Sequence, residues 1–200
     1  MTRKSNTEQR RGEIVKALQT AIARHGYEGA TIQLIAAEAG LSPGLIHYHY
    51  RDKREILIGL IAALHEYVLL RFARLAEGVS EPRQRVRAYV DARLGLGRGA
   101  QPEAVAAWVA IGAEAIRQPE IREVYQEAIA AELRLVRDLI GDYLESMGKS
   151  REAAARLASV LMAFFEGAFQ LSAAARRVMP KNYAADAAMQ LVECFVEREK

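Results

Sequence analysis

The sequence predicts an all-α fold in which a three-helix N-terminal domain is joined by a long helix to a larger helical domain. Apolar residues recur three and four apart almost everywhere, strand signals are nearly absent, and Gly, Pro and Ser fall where helices should stop and start. The 200 residues suffice to bury a core without staples, and the single cysteine, Cys194, allows no intrachain disulfide and no cysteine zinc site. Cys194 reads as structural filler in a reducing compartment.

The elements follow in order. Residues 1–7 (MTRKSNT) form a polar arm, expected to be disordered. A first helix is predicted from Glu8 to His25, with Ile14, Ala17, Leu18, Ala21 and Ile22 as its buried stripe and Gly26 as its stop. Thr31 should cap a second helix, Ile32–Ala39, with Ile32, Ile35, Ala36 and Ala39 on its apolar face. Gly40 and Leu41 make a turn, and Ser42 followed by Pro43 opens a third helix that reaches about Tyr50. Asp52 and Glu55 have the capping-box arrangement at the head of a fourth helix, which runs to about Ala76 and is long enough to join two halves. Beyond GVSEP (78–82), helices are expected at 83–97, 102–117, 119–147, 150–177 and 182–198, separated by Gly99, Pro119, Met147-Gly148 and Pro180-Lys181-Asn182. The division drawn from this is a domain 1–54 and a domain 55–200.

Charge is unevenly placed. The net charge is +3, but residues 1–54 hold nine Lys or Arg against five acids, leaving the other 146 residues at −1. The positive excess lies where a polyanion would dock. No segment has the roughly 18 uninterrupted apolar residues of a membrane span, and the polar N-terminus has no apolar stretch behind it. Neither a membrane segment nor a signal peptide is therefore expected, and the chain reads as cytoplasmic.

Two short helices joined by a Gly-containing turn and braced by a preceding helix are the helix-turn-helix layout, whose second short helix enters the DNA major groove. On the third helix, Ile46 and Tyr50 share the face that should pack on helix one, whereas Pro43, Gly44 and His47 lie opposite. Gly44 lets backbone approach the bases, His47 can bond a base edge, and Leu45, Tyr48 and His49 should flank it at the height of the phosphates. Lys53 and the amides opening helix four should hold another phosphate, as should the amides capped by Thr31 and Ser42. A bland alternative is that Tyr48, His49 and Tyr50 only fill a small core; it is favoured for Tyr50 and disfavoured for His47 and Tyr48. A metal site on His47 and His49 is not expected, because residues two apart on a helix diverge.

The stretch ATIQLIAAEAGLSPGLIHYHYRDKREIL (30–57) resembles the N-terminal domain of the TetR family of bacterial regulators. The matching positions are Thr31, Ile35, Ala36, Ala39, Gly40, Ser42, Gly44, Tyr48 (or His47, at the family's first aromatic position), Lys53 and Leu57. It departs at His47, where Tyr is common, and at Tyr50, where Phe is usual; the first bears on operator preference rather than fold. The resemblance implies a one-component transcriptional regulator, a ligand-released repressor that binds a palindromic double-stranded DNA operator as a homodimer.

A reader of one half-site binds weakly, and twofold dimers place two reading helices about 34 Å apart on DNA. The expected dimer surface is the last two helices, because 158–175 is apolar around more of its circumference than one core requires (Val160, Leu161, Phe164, Phe165, Ala168, Phe169, Leu171). The last helix adds Ala188, Leu191, Val192, Phe195 and Val196. Four helices, two per subunit, would bundle there.

For an effector site, two lone acids stand out. Glu114 is the only charged residue between Ala104 and Ile116, with Trp108 near it; Glu166 is the only one between Ala158 and Ala175, among Phe164, Phe165 and Phe169. A buried carboxylate needs a partner. The partner is either a cationic ligand caged by aromatic faces or, favoured for each, an arginine such as Arg71, Arg117, Arg134 or Arg176, or else the acid is exposed. The stretches AWVAIGAEA and LMAFFEGAFQLSAA look like the C-terminal domain of BetI-type regulators, repressors of choline-to-betaine genes, over about 104–177. That looser resemblance implies a choline-like effector.

The ligand is expected to wedge between helix four and the helices of 102–177, to tilt helix four and so change the spacing of the reading heads, helix four being the only covalent route between them. An all-α enzyme using Glu114 and Glu166 with His65 or His25 is disfavoured, since no nucleophile–base spacing, metal motif or phosphate loop appears, and no cofactor is expected. A protein-binding helical scaffold and a TetR-type activator are the remaining alternatives.

Overall fold

A computed structural model describes residues 6–95 and 101–199. Among them every regular element is helical: α1 (Asn6–Gly29), α2 (Ile32–Ala39), α3 (Pro43–His49), α4 (Lys53–Leu75), α5 (Pro82–Leu94), α6 (Pro102–Arg117), α7 (Pro119–Ser146), a 3-10 turn (Arg151–Ala153), α8 (Ala154–Ala174) and α9 (Tyr183–Arg198). Residues 1–5 of the polar arm, the separator Gly99 and residues 96–97 of the predicted fifth helix lie outside the described residues.

Local signals explain the boundaries. Gly26 interrupts α1 with φ 68°, a left-handed conformation that glycine adopts without a Cβ penalty, so the helix effectively stops there and one further turn follows. The Thr31 hydroxyl accepts from the Leu34 amide (3.2 Å) and the Ser42 hydroxyl from the Leu45 amide (3.3 Å), satisfying amides that have no intrahelical partner. Gly40, at φ 65°, closes α2. At α4, Asp52 accepts from the Glu55 amide (2.8 Å), while Glu55 reaches back to the Arg51 amide (2.8 Å), one residue before the partner of a standard capping box. The helix predicted over 150–177 instead begins with a 3-10 turn and ends at Ala174.

The described residues form two compact units: those up to His65 with Gln101–Ala128, and those from Glu66 to Gly95 with 129–199. In the first, α1 packs against α2, α3 and α6. Its fully buried side chains include Ile14, Leu18, Ile35, Ile46, Ile56, Leu57, Leu60 and Ile111. In the second, α5, α8 and α9 pack on one another, and Tyr89 and Phe165 are the largest of the fully buried side chains. Helices α4 and α7 each run from one unit into the other.

By length and composition, α4 and the stretch Arg151–Ala174 are apolar enough to cross a membrane. On α8 this reflects apolar residues around much of its circumference: Leu157, Leu161 and Phe165 are buried within its own unit, whereas Val160 and Leu171 stay exposed.

Candidate nucleic-acid interface and effector site

Helix α3 is divided by burial. Ile46 and Tyr50 are sunk into the first unit, and the Tyr50 hydroxyl donates to the Arg11 carbonyl of α1 (3.2 Å). Pro43, Gly44 and His47 are exposed, Leu45 is half-buried, and Tyr48 is 78% exposed. A Cβ added at Gly44 would meet nothing closer than the Ser42 hydroxyl at 4.0 Å. Nothing inside the protein therefore requires glycine there. Any such requirement comes from what approaches α3 from outside.

One expected contact needs correction. His49 is only 9% exposed, its ring 5.1 Å from that of Tyr48 in an edge-on arrangement, so it belongs to the domain interior rather than to the phosphate-facing rim. The reason is helical periodicity: positions 46, 49 and 50 lie on one face. Lys53 is half-buried at the head of α4. Its ammonium donates to the Tyr27 carbonyl (2.8 Å) and lies 4.1 Å from the centroid of the Tyr27 ring. Arg51, which sequence reasoning passed over, has an 83% exposed side chain beside Asp52 (3.6 Å).

Arg11 was missed as well. Its guanidinium donates to the His49 carbonyl (2.5 Å) and to Glu55 (3.3 Å), and it stacks 4.0 Å from the Tyr50 ring. Bonds to neighbouring amides hold the carboxyls of Asp52 and Glu55 below the usual range, the Glu55 amide for the first and the Arg51 amide for the second. Burial raises the hydroxyl pKa of both Tyr50 and Tyr27.

The expected effector residues fall in separate units. In the first, Trp108 and Glu114 are buried on α6, and Trp108 lies 5.0 Å from the Tyr125 ring. Glu114 accepts from the Gln118 side chain (2.8 Å) and lies 3.7 Å from Arg117, one of the anticipated arginines. Glu120 accepts from Arg54 (2.8 Å), so the turn between α6 and α7 is tied to the head of α4.

In the second unit, Phe165 and Phe169 are buried on α8 and Glu166 is half-buried. Glu166 accepts from Arg93 of α5 (3.3 Å), which was not among the arginines anticipated for it. Arg71 is occupied elsewhere, donating to the carbonyls of Ala92 (3.2 Å) and Gly95 (2.7 Å) at the end of α5. Arg93, 4% exposed, also donates to Glu132 (3.2 Å), which is 1% exposed and accepts the Tyr89 hydroxyl (2.9 Å). The guanidinium lies 4.8 Å from the Phe169 ring and 5.7 Å from that of Phe165, over the aromatic faces the sequence offered to a cationic ligand. Burial pushes the Tyr89 hydroxyl strongly up, which keeps it a neutral donor. Sequence reasoning missed Arg93 and Glu132, although helical spacing places the first on the buried stripe of Val86, Tyr89 and Val90 and the second between Ala128 and Val136.

Comparison with known proteins connects these features. Residues 14–60 match the tetR family of bacterial regulatory proteins, and 82–199 match the C-terminal domain of BetI-type transcriptional repressors. The chain belongs to the TetR family. Among its relatives, an Escherichia coli HTH-type transcriptional regulator BetI is 30% identical over 158 residues, 76% of this chain and 78% of that protein. BetI of Rhizobium meliloti is 33% identical over 115 residues, 58% of this chain and 56% of its own. Similar solved folds include a TetR-family regulator from Rhodococcus (TM-score 0.80, 23% identity, covering 94% of this chain and 98% of that one). Another is a Saccharomonospora viridis regulator in complex with choline (TM-score 0.77, 23% identity, 96% and 97% coverage). The chain is thus a DNA-binding transcriptional regulator of the TetR family, with an N-terminal helix-turn-helix and a BetI-type C-terminal domain.

Proposed function

We propose that this TetR-family regulator is a ligand-released repressor that works in the cytoplasm and binds a palindromic operator as a homodimer. The observation that carries the reading is the division of α3, with Ile46 and Tyr50 buried and Pro43, Gly44, His47 and Tyr48 left on an open face. His47 and the Gly44 backbone read base edges, and Tyr48 and Leu45 flank them. The Thr31 and Ser42 hydroxyls act only as acceptors in their caps, so each keeps a proton to donate to a phosphate. Residues 1–54 serve as the reading head and 55–200 as the sensing and dimerising part.

Dimerisation is assigned to α8 and α9. Its support is the exposed apolar surface at Val160 and Leu171 on α8, a helix already buried along its other side. The effector is assigned as a quaternary ammonium compound. Each unit carries one candidate set, Trp108 with Glu114 and Phe165 with Glu166 and Phe169, and the choline complex of the Saccharomonospora viridis regulator supports the chemistry. A cation at the second set has to share Glu166 with Arg93.

Effector binding reaches α3 along α4, which passes through both units, and through the bond of Glu120 to Arg54 at the head of that helix. Linkage requires that DNA and effector weaken one another's binding by the same factor.

Fluorescence anisotropy of the purified protein on duplex DNA from upstream of its own gene tests the reading. Choline and tetramethylammonium should release the DNA, while 3,3-dimethylbutanol, the neutral isostere of choline, should not. Equal release by the neutral alcohol would remove the cationic assignment. Wild-type preference for the upstream duplex in His47→Ala would remove His47 from the reading face.

A further inference from the structure

The aromatic and acidic cage of the second unit already holds a cation, and that cation belongs to the protein. The Arg93 guanidinium lies 4.8 Å from the centroid of the Phe169 ring and 5.7 Å from that of Phe165, and it donates to Glu132 (3.2 Å) and Glu166 (3.3 Å). These are the groups a quaternary ammonium would use, aromatic faces against its methyl groups and a carboxylate to balance its charge. The two carboxylates differ. Glu132 is 1% exposed and also accepts the Tyr89 hydroxyl, so it is held from inside, whereas the Glu166 side chain is 35% exposed and open to a solute from water.

Arg93 is also the penultimate residue of α5, and the turn that carries it is pinned twice. Its own guanidinium reaches Glu132 on α7 and Glu166 on α8. On either side of it in the chain, the carbonyls of Ala92 and Gly95 accept from Arg71 of α4 (3.2 and 2.7 Å). A change in what Arg93 binds is therefore felt at the turn of α5 that α4 holds.

We propose that Arg93 is a built-in competitor of the effector: it fills the cage in the absence of ligand, and a quaternary ammonium acts by taking Glu166 and the Phe169 face from it, which loosens the end of α5 that Arg71 ties to α4. Arg93 keeps Glu132, so displacement strands no charge in the interior. Apparent affinity is lowered by the fraction of the population in which the cage is filled. The inference rests on the quaternary ammonium reading of the effector and selects the set of Phe165, Glu166 and Phe169 from the two candidates.

Tetramethylammonium is titrated calorimetrically into the full-length wild type, Arg93→Gln and Glu166→Gln without DNA. Amide exchange over residues 89–95 is followed by mass spectrometry in the wild type with and without it. Arg93→Gln should bind about tenfold more tightly, the competitor being gone, while melting at a lower temperature because Glu132 loses its guanidinium. A residue that only held the core together would lower both. Glu166→Gln should bind more weakly, and ligand should speed exchange at the end of α5 in the wild type by about threefold as one of its two pins is released.

Equal or weaker binding by Arg93→Gln would overturn the proposal, as would exchange at the end of α5 that tetramethylammonium leaves unchanged or slows. Wild-type affinity in Glu166→Gln would overturn it by moving the ligand to Trp108 and Glu114. If Arg93→Gln does not fold, wild-type exchange and the affinity of Glu166→Gln decide. Absence of binding by both the wild type and Arg93→Gln would instead remove the cationic reading of the effector, and the competitor with it.

Discussion

Arginine meets aromatic rings in both units, with opposite physical settings. Arg11, in the reading head, is half-exposed, and its carbonyl and carboxylate partners remain within reach of water. Arg93, in the second unit, is buried with Glu132 under Tyr89 and two phenylalanines. Solvent screens the first and leaves it little energetic weight. The second is in a low-dielectric interior, where loss of one partner leaves a buried charge poorly compensated. One unit keeps this ion pair within reach of water, and the other buries its pair between helices.

The largest effect is expected at the buried site. Arg93→Met strips Glu132 of its guanidinium and should destabilise the protein by about 3–5 kcal/mol, measured by urea unfolding. A loss no greater than that of Arg11→Met would dissolve the contrast between the two settings. Glu166→Gln, at the more exposed carboxylate of the same cluster, should cost much less stability while weakening the response to tetramethylammonium.

Next are the caps of the reading head. Ser42→Ala removes the acceptor for the Leu45 amide and should cost about 1 kcal/mol, seen as a lower unfolding midpoint with the native helix content kept. Stability of this corner should also depend on acid. Asp52 and Glu55 have folded pKa values below their ordinary 3.8 and 4.5, so their contribution is present above those values and is lost as pH falls through the depressed ones. An unfolding series from pH 6 down to pH 2 should show wild type losing its advantage over Asp52→Asn in that acidic window, and a constant difference would argue against the cap.

The smallest expected change in stability is at Gly44. Its backbone is not left-handed and its surroundings are open, so Gly44→Ala should melt within about 1 °C of wild type or above it, since alanine favours helix. Upstream-duplex affinity should nevertheless fall by about tenfold, the scale of one lost base-reading contact. Unchanged affinity would place Gly44 away from DNA.

The parts legible in the sequence share one property, short range. Thr31, Ser42 and Asp52 each cap an amide three residues on, Gly40 closes α2 next to its last residue, and Pro102 and Pro119 open α6 and α7. The inward face of α3 could be read from Ile46 and Tyr50 by helical spacing. Spacing also held the warning about His49, which shares that face, but its polarity drew it outward in the reading. The Tyr27 carbonyl that Lys53 meets lies 26 residues away, beyond the reach of any local pattern.

The sequence by itself determined the helices, the turn chemistry, the family and the divided face of α3, because each depends on residues within one or two helical turns. Tertiary structure alone decided which ion meets which. Arg93 finds Glu132 and Glu166 at separations of 39 and 73 residues, and Arg11 finds the His49 carbonyl 38 residues away. Long, flexible cationic side chains have many acceptors within reach in sequence terms. Only the packing of helices removes water from some of those pairs and leaves it on the others, and that removal gives a charge its weight.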